Sequence, residues 1–249
     1  MRSKIYFCFL CFALLSACGG GSSTSTPPAT AMAESSSSSS MSTTLTGTLT
    51  GAIQGLKYKT ATQAGETNKK GEFNYLAGET VSFSIGDIKL PTVSAQEAIS
   101  AYTLANSDAL DNSVAMNITR LLQTLDLDGN YDNGIEITAM AHTMATGMSI
   151  DFSSARFVDE VANLASTSGG ANAVLVNAET AQNNLLTSLS GCTKKHSTIG
   201  QVATLSTRSH GVAGQATIIN DCTIKMTNFS FDGGGLDVYF YGGIINPAE

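Results

Sequence analysis

Two groups of side chains in this 249-residue chain have types and spacing that could do chemistry. The first is a run of carboxylates and amides, Asp126-Leu127-Asp128-Gly129-Asn130-Tyr131-Asp132-Asn133-Gly134-Ile135-Glu136. Oxygen ligands at the alternating positions Asp126, Asp128, Asn130 and Asp132 suit Ca²⁺, a hard cation that takes about six to eight oxygens. The run departs from an EF-hand at two places. Tyr131 stands where Gly makes the sharp turn, and Ile137 where a bidentate Glu closes the site. It also reads as a plain helix C-terminal loop rich in Asx turns, and both readings stay open. The second group is the sulfur pair Cys192 and Cys222, which can form a disulfide or act as a redox couple centred on Cys222.

Other chemistries find no residues. His142, His196 and His210 are the only histidines. Cys192-Thr193-Lys194-Lys195-His196 lacks the second cysteine of the C-x-x-C-H haem attachment pattern, so haem is not expected. A histidine beside a glycine in a turn, as at His210-Gly211, reads as structural. There is no phosphate-cradling glycine loop, no H-E-x-x-H and no nucleophile elbow. No residue nominates itself as nucleophile or general base, so an enzyme is not expected.

The compartment follows from the amino terminus. Arg2 and Lys4 precede the apolar run Ile5 to Leu15, too short for a stable transmembrane helix, and small residues follow. Residues 1–17 therefore read as a signal peptide. Leu15-Ser16-Ala17-Cys18 resembles the bacterial lipobox, which implies that Cys18 is acylated (palmitate and a second lipid) and becomes the first mature residue. Gly19, in place of Asp, points to the outer membrane. The chain is thus expected in the cell envelope, held to the membrane by its N-terminal lipid. Residues 18–43 are mostly Ser, Gly, Thr, Ala and Pro, including six serines at 35–40, and read as the acylated Cys18 and a flexible tether. Such a coil of about 25 residues spans roughly 25–30 Å.

Cys8 and Cys11 leave with the leader and Cys18 carries lipid, so Cys192 and Cys222 remain as an even pair in an oxidising compartment. A disulfide between them closes a loop of about 30 residues, worth on the order of 3–4 kcal/mol in the chain-entropy model. The formal charge of −7 becomes more negative once Arg2 and Lys4 are removed, which argues against nucleic acid as a partner.

Residues 44–190 begin with β signals and continue with helical ones. Thr46 to Gln54, Leu56 to Thr60, Gly71 to Leu76 and Thr80 to Ile85 are predicted strands. Gly55-Leu56-Lys57-Tyr58, Gly65-Glu66-Thr67, Gly71-Glu72-Phe73-Asn74-Tyr75 and Phe83-Ser84-Ile85-Gly86 together resemble a β module of exported bacterial lipoproteins, similar to small sandwich domains of the carboxypeptidase-regulatory type. That resemblance implies a presenting or spacing role. Val114, Ile118, Leu121, Leu122 and Leu125 then fall on one helical face behind the N-cap Asn112. Phe157, Val158, Val161 and Leu164 predict a second helix. Asn177 to Leu189 predicts a third, with Leu185, Leu186 and Leu189 inward. The expected fold is an α+β module, a sandwich-like sheet followed by helices, plus an all-β, incomplete C-terminal sheet.

That sheet occupies 192–249. Its predicted strands are Gln201 to Thr207, Gln215 to Ile219, Thr223 to Phe229 and Val238 to Tyr241, punctuated by His210-Gly211, Gly214 and the glycines after Asp232. The order His210-Gly211-Val212-Ala213-Gly214, Asp221-Cys222-Thr223-Ile224, Asn228-Phe229-Ser230-Phe231-Asp232-Gly233-Gly234-Gly235 and Asp237-Val238-Tyr239-Phe240 resembles the first half of the DM-thirteen domain, a family proposed to carry electrons in surface proteins. Phe231 and Leu236 depart from the Tyr and Pro common in that family. Relatives continue to a Trp-Cys pair, and this chain has no Trp, so the expectation is of a domain cut short. The resulting reading is a membrane-anchored envelope lipoprotein acting as a non-catalytic binding or presenting module for an envelope protein or surface polymer. The alternative is a DM-thirteen-type electron-transfer protein using Cys222.

Overall fold

The structure is a computed structural model that describes residues 43–205 and 210–234. The expected leader, Cys18, most of the tether, Asp237 and the strand at Val238 to Tyr241 lie outside the described residues. Nine short strands open the fold: β1 (Leu45–Leu49), β2 (Ile53–Gln54), β3 (Lys57–Lys59), β4 (Ala64–Glu66), β5 (Glu72–Tyr75), β6 (Thr80–Ile85), β7 (Ile88–Lys89), β8 (Val93–Ser94) and β9 (Ala98–Ile99). The single strand expected over 46–54 is two. Gly51 (φ 98°) and Ala52 (φ 49°) adopt left-handed conformations and turn the chain between β1 and β2.

Two small sheets face each other across an aromatic cluster. One runs β5-β1-β9, and the other runs β4-β3-β6-β7 with β8 paired to β6. The alternation on β6 puts Val81, Phe83 and Ile85 inside and their neighbours outside. Phe73 of β5 packs edge-on against Phe83 of β6 at 5.2 Å, and tilted against Tyr58 at 5.9 Å and Tyr75 at 5.7 Å. Opposite Phe73 in register is Gly47, where a Cβ would lie 2.4 Å from the Phe73 ring. Only glycine leaves that ring its place.

The helices cover this layer, as the sequence predicts. They are α1 (Ala101–Leu104), α2 (Ser113–Thr124), α3 (Ala139–Met144), α4 (Phe157–Thr167) and α5 (Ala178–Ser190). Asn112 Oδ1 accepts from the Ala115 N–H at 2.9 Å, and Asn177 Oδ1 from the Thr180 N–H at 2.8 Å, so both predicted caps form. Ile118, Leu121 and Leu122 of α2 are buried, as is Leu125 at its C-cap. On α5 the inward residues are Ala181, Asn184 and Leu185, while Leu189 is 44% exposed, contrary to expectation. The reason is a polar lining: Asn184 donates to Gln123 Oε1 at 3.0 Å, and Gln123 donates to the Ala181 carbonyl at 3.1 Å. The helix end beyond them carries Thr187 and Ser190, which bond to the C-terminal sheet and leave Leu189 to solvent. Strand β10 (Ile135–Glu136) returns to pair in parallel with β2.

The C-terminal sheet is antiparallel β11 (Val202–Leu205), β12 (Ala213–Asn220) and β13 (Thr223–Ser230). Register slips near Gly214 (φ 141°), whose absent Cβ lets the β13 backbone approach. The sheet rests on α5. Asn220 donates to Thr187 Oγ1 and Ser190 Oγ, both at 3.3 Å, and Lys225 Nζ to Asn183 Oδ1 at 3.3 Å. Among the described residues no helix is long and apolar enough to cross a membrane.

Candidate functional site

The sulfurs of Cys192 and Cys222 are bonded to each other, with Cα atoms 6.2 Å apart. Two local features bring them together. Gly191 ends α5 in a left-handed conformation (φ 66°), turning Cys192 out of the helix axis. Asp221 and Cys222 form the two-residue turn between β12 and β13. The Cys222 N–H is held by Asn220 Oδ1 at 3.1 Å, and the Cys192 N–H by Ser190 Oγ at 3.3 Å. Cys222 is exposed and Cys192 half-buried.

Asp221 organises the chain that follows Cys192. Its carboxylate accepts from the Thr193 hydroxyl, from the Lys195 N–H at 3.1 Å and from the His196 N–H at 2.9 Å. The Thr193 hydroxyl, and after it the His196 N–H, hold the Asp221 carboxyl below the usual carboxylate range. An open groove of about 490 Å³ runs beside the disulfide, lined by Lys195, His196, Ile218, Cys222 and Ile224 among others. Lys195 and Asp221, of opposite charge, both border this groove beside Cys222.

The predicted motif residues His210, Gly211, Asp232 and Gly233 do come together at the far end of the same sheet. His210 Nδ1 lies 3.2 Å from Asp232 Oδ2, the Asp232 N–H donates to the His210 carbonyl at 3.1 Å, and Ser230 Oγ donates to the Gly211 carbonyl at 2.9 Å. The Gly234 N–H on Asp232 Oδ1, and then His210, draw the Asp232 carboxyl down. The His210 ring meets Phe231 edge-on at 6.3 Å. This cluster closes the loop after β13.

The four predicted calcium ligands do not share one point. Asp126 is buried, with Oδ1 accepting the Glu136 N–H at 2.8 Å. Asp128 lies outside it and accepts from the Asn130 N–H and from Asn133 Nδ2, both at 2.8 Å. Asn130 Oδ1 turns to the Asp132 N–H at 3.3 Å, and Asp132 pairs with Lys194 at 3.3 Å. Among the described residues, no three His, Cys, Asp or Glu side chains converge as a metal centre.

The comparison that bears on chemistry concerns the sheet. Residues 204–248 match the family described as electron transfer DM13. The DM13 segment contains Cys222 and the His210–Asp232 cluster, whereas Cys192 lies before it. The resemblance seen in the motif order therefore holds for this segment. No curated protein and no solved structure matches the chain.

Sequence reasoning missed His142, which pins distant parts of the body together. The Gly86 N–H donates to its Nδ1 at 2.9 Å, which leaves the proton on Nε2 to be donated to the Gly55 carbonyl at 2.7 Å. Nothing local marks it, because its partners stand 56 and 87 residues away. The role of Asp221 is equally hidden in sequence, since its donors come from the chain 25 to 28 residues earlier.

Proposed function

We propose that the Cys192–Cys222 pair is the two-electron couple of an electron-transfer module, presented by the α+β body. One observation carries the reading: the more exposed cysteine of the pair, Cys222, sits inside the DM13 segment and on the wall of an open groove. A partner dithiol in the same compartment is the reaction's other half. Its thiolate attacks the Cys222 sulfur, and Cys192 leaves as a thiolate and takes a proton. The partner's second thiol then resolves the mixed disulfide, so that Cys222 leaves reduced and the partner becomes oxidised. Two electrons and two protons pass to this chain. Acylation at Cys18 and the serine-rich tether would hold the couple at the envelope membrane with lateral reach, outer membrane being the reading of Gly19.

The test is a redox titration of the purified chain in thiol–disulfide buffers, with alkylation and mass readout of Cys192 and Cys222. Exposed, exchanging disulfides have midpoints above about −300 mV, and a value of roughly −180 to −270 mV is expected. A midpoint below about −300 mV makes the bond a staple and returns the chain to the other reading, a non-catalytic binding or presenting module. That reading draws on exposed apolar side chains of the sheet, Val202 (56%) and Ile224 (60%).

A further inference from the structure

Among the described residues two buried carboxylate oxygens lack a hydrogen-bond partner, Glu79 Oε1 and Asp126 Oδ2, and of these Asp126 borders a pocket lined by further carboxylates and amides. Asp126 is 1% exposed, yet Oδ2 has no hydrogen-bond partner, while Oδ1 is taken by the Glu136 N–H. A buried carboxylate oxygen with neither donor nor cation is a costly arrangement. Asp126 forms part of the wall of a pocket of about 210 Å³, which Gln54, Asp128, Asn133 and Glu136 also line. Asp128 and Glu136 bring two further carboxylates to that wall.

We propose that this pocket binds Ca²⁺, with Asp126 Oδ2 and the Asp128 carboxylate as its charged ligands and Asn133, Gln54 and water supplying neutral oxygens. The site thus differs from the alternating set expected from sequence. Asn130 and Asp132 are outside it, Asp132 being turned to Lys194. Ca²⁺ fits better than Mg²⁺ because irregular amide and carboxylate oxygens suit its flexible coordination, whereas Mg²⁺ demands near-ideal octahedra. Two carboxylate ligands, with neutral oxygens completing the shell, place the affinity on the order of 10⁻⁴–10⁻³ M, the range of extracellular modules. Lys69 also borders the pocket and its ammonium opposes the ion. An ion there would tie the end of α2 to the loop that returns to β10, and so to β2.

The experiment uses the purified full chain, with CaCl₂, MgCl₂ and Tb³⁺ as probes. Thermal melts at constant ionic strength should rise by about 3–10 °C between chelator and 10 mM CaCl₂, and hardly move with MgCl₂. Tyr131, which lies within electrostatic reach of Asp126, should sensitise Tb³⁺ emission that CaCl₂ displaces. Asp126→Asn should abolish both responses, and Lys69→Gln should tighten Ca²⁺ several-fold. Asp128→Asn, at an exposed position, gives the same reading should Asp126→Asn fail to fold. Superimposable wild-type melts without Tb³⁺ emission would overturn the proposal. So would a Ca²⁺ response that survives in Asp128→Asn and Asp126→Asn. If Asp126→Asn stabilises the chain and flattens its pH dependence while CaCl₂ does nothing, the two carboxyls share a proton and the site is not a metal site.

Discussion

At the scale of single residues, His142 shows how a side chain without chemistry can still be decisive. It accepts a backbone proton from the Gly86 turn and donates to the Gly55 turn, so one ring satisfies two glycine turns that cannot bond to each other. Both turns are left-handed and crowded: a Cβ at Gly55 would lie 2.5 Å from the Ile137 carbonyl oxygen, and one at Gly86 would lie 2.4 Å from the His142 carbonyl oxygen. His142→Ala removes both bonds and is expected to cost about 1–3 kcal/mol in urea unfolding, with partial recovery in His142→Gln. An alanine variant within about 0.5 kcal/mol of the parent would mean that water replaces the ring. The caps at Asn112 and Asn177 were legible in sequence because a cap acts within three residues. His142 and the burial of Asp126 were not, since long-range contacts alone create them.

At the scale of elements, the loop from Thr193 to His196 is folded around the Asp221 carboxylate, and that ties its order to pH. Asp221 is held below its ordinary value, first by the Thr193 hydroxyl and then by the His196 N–H. A depressed carboxylate contributes stability that is present above its unfolded value, about 3.9, and is lost as pH falls through the folded value. Asp126 has the opposite sign. Burial raises it, so its contribution is complete below the unfolded value and is lost as pH rises through the folded one. Melts recorded from pH 6 downward should therefore show an acid limb that Asp221→Asn makes shallower and Asp126→Asn does not. An unchanged limb in Asp221→Asn would show that the loop is held by other contacts. Element types were readable where a period ran long enough, as on α2 and β6. The two-residue strands β2, β7, β8, β9 and β10 were missed or merged, because a strand that short has no period of its own and exists only through its partner.

At the scale of the whole molecule, the α+β plan was legible because a change from period two to period 3.6 survives any error at element ends. What sequence could not show is how the C-terminal sheet depends on the body. Among the described residues, Ile219 is the only apolar side chain of β11, β12 and β13 that is fully buried, whereas the body's core draws on both small sheets and on every helix from α1 to α5. The sheet is held by the bonds from Asn220 and Lys225 to α5, by Lys194 reaching Asn184 at 2.8 Å, and by the disulfide. Of these the disulfide restricts the unfolded chain most. With its cysteines 30 positions apart, its removal should cost about 3–4 kcal/mol in the chain-entropy model. That loss should fall on the sheet and not on the body. In Cys192→Ser/Cys222→Ser, amide exchange should accelerate across β11 to β13 while α2 and β6 keep their protection, and one cooperative melt should separate into two. If all elements lose protection together, sheet and body form a single cooperative unit, and a reduced form of the couple could not keep its body folded while passing electrons on.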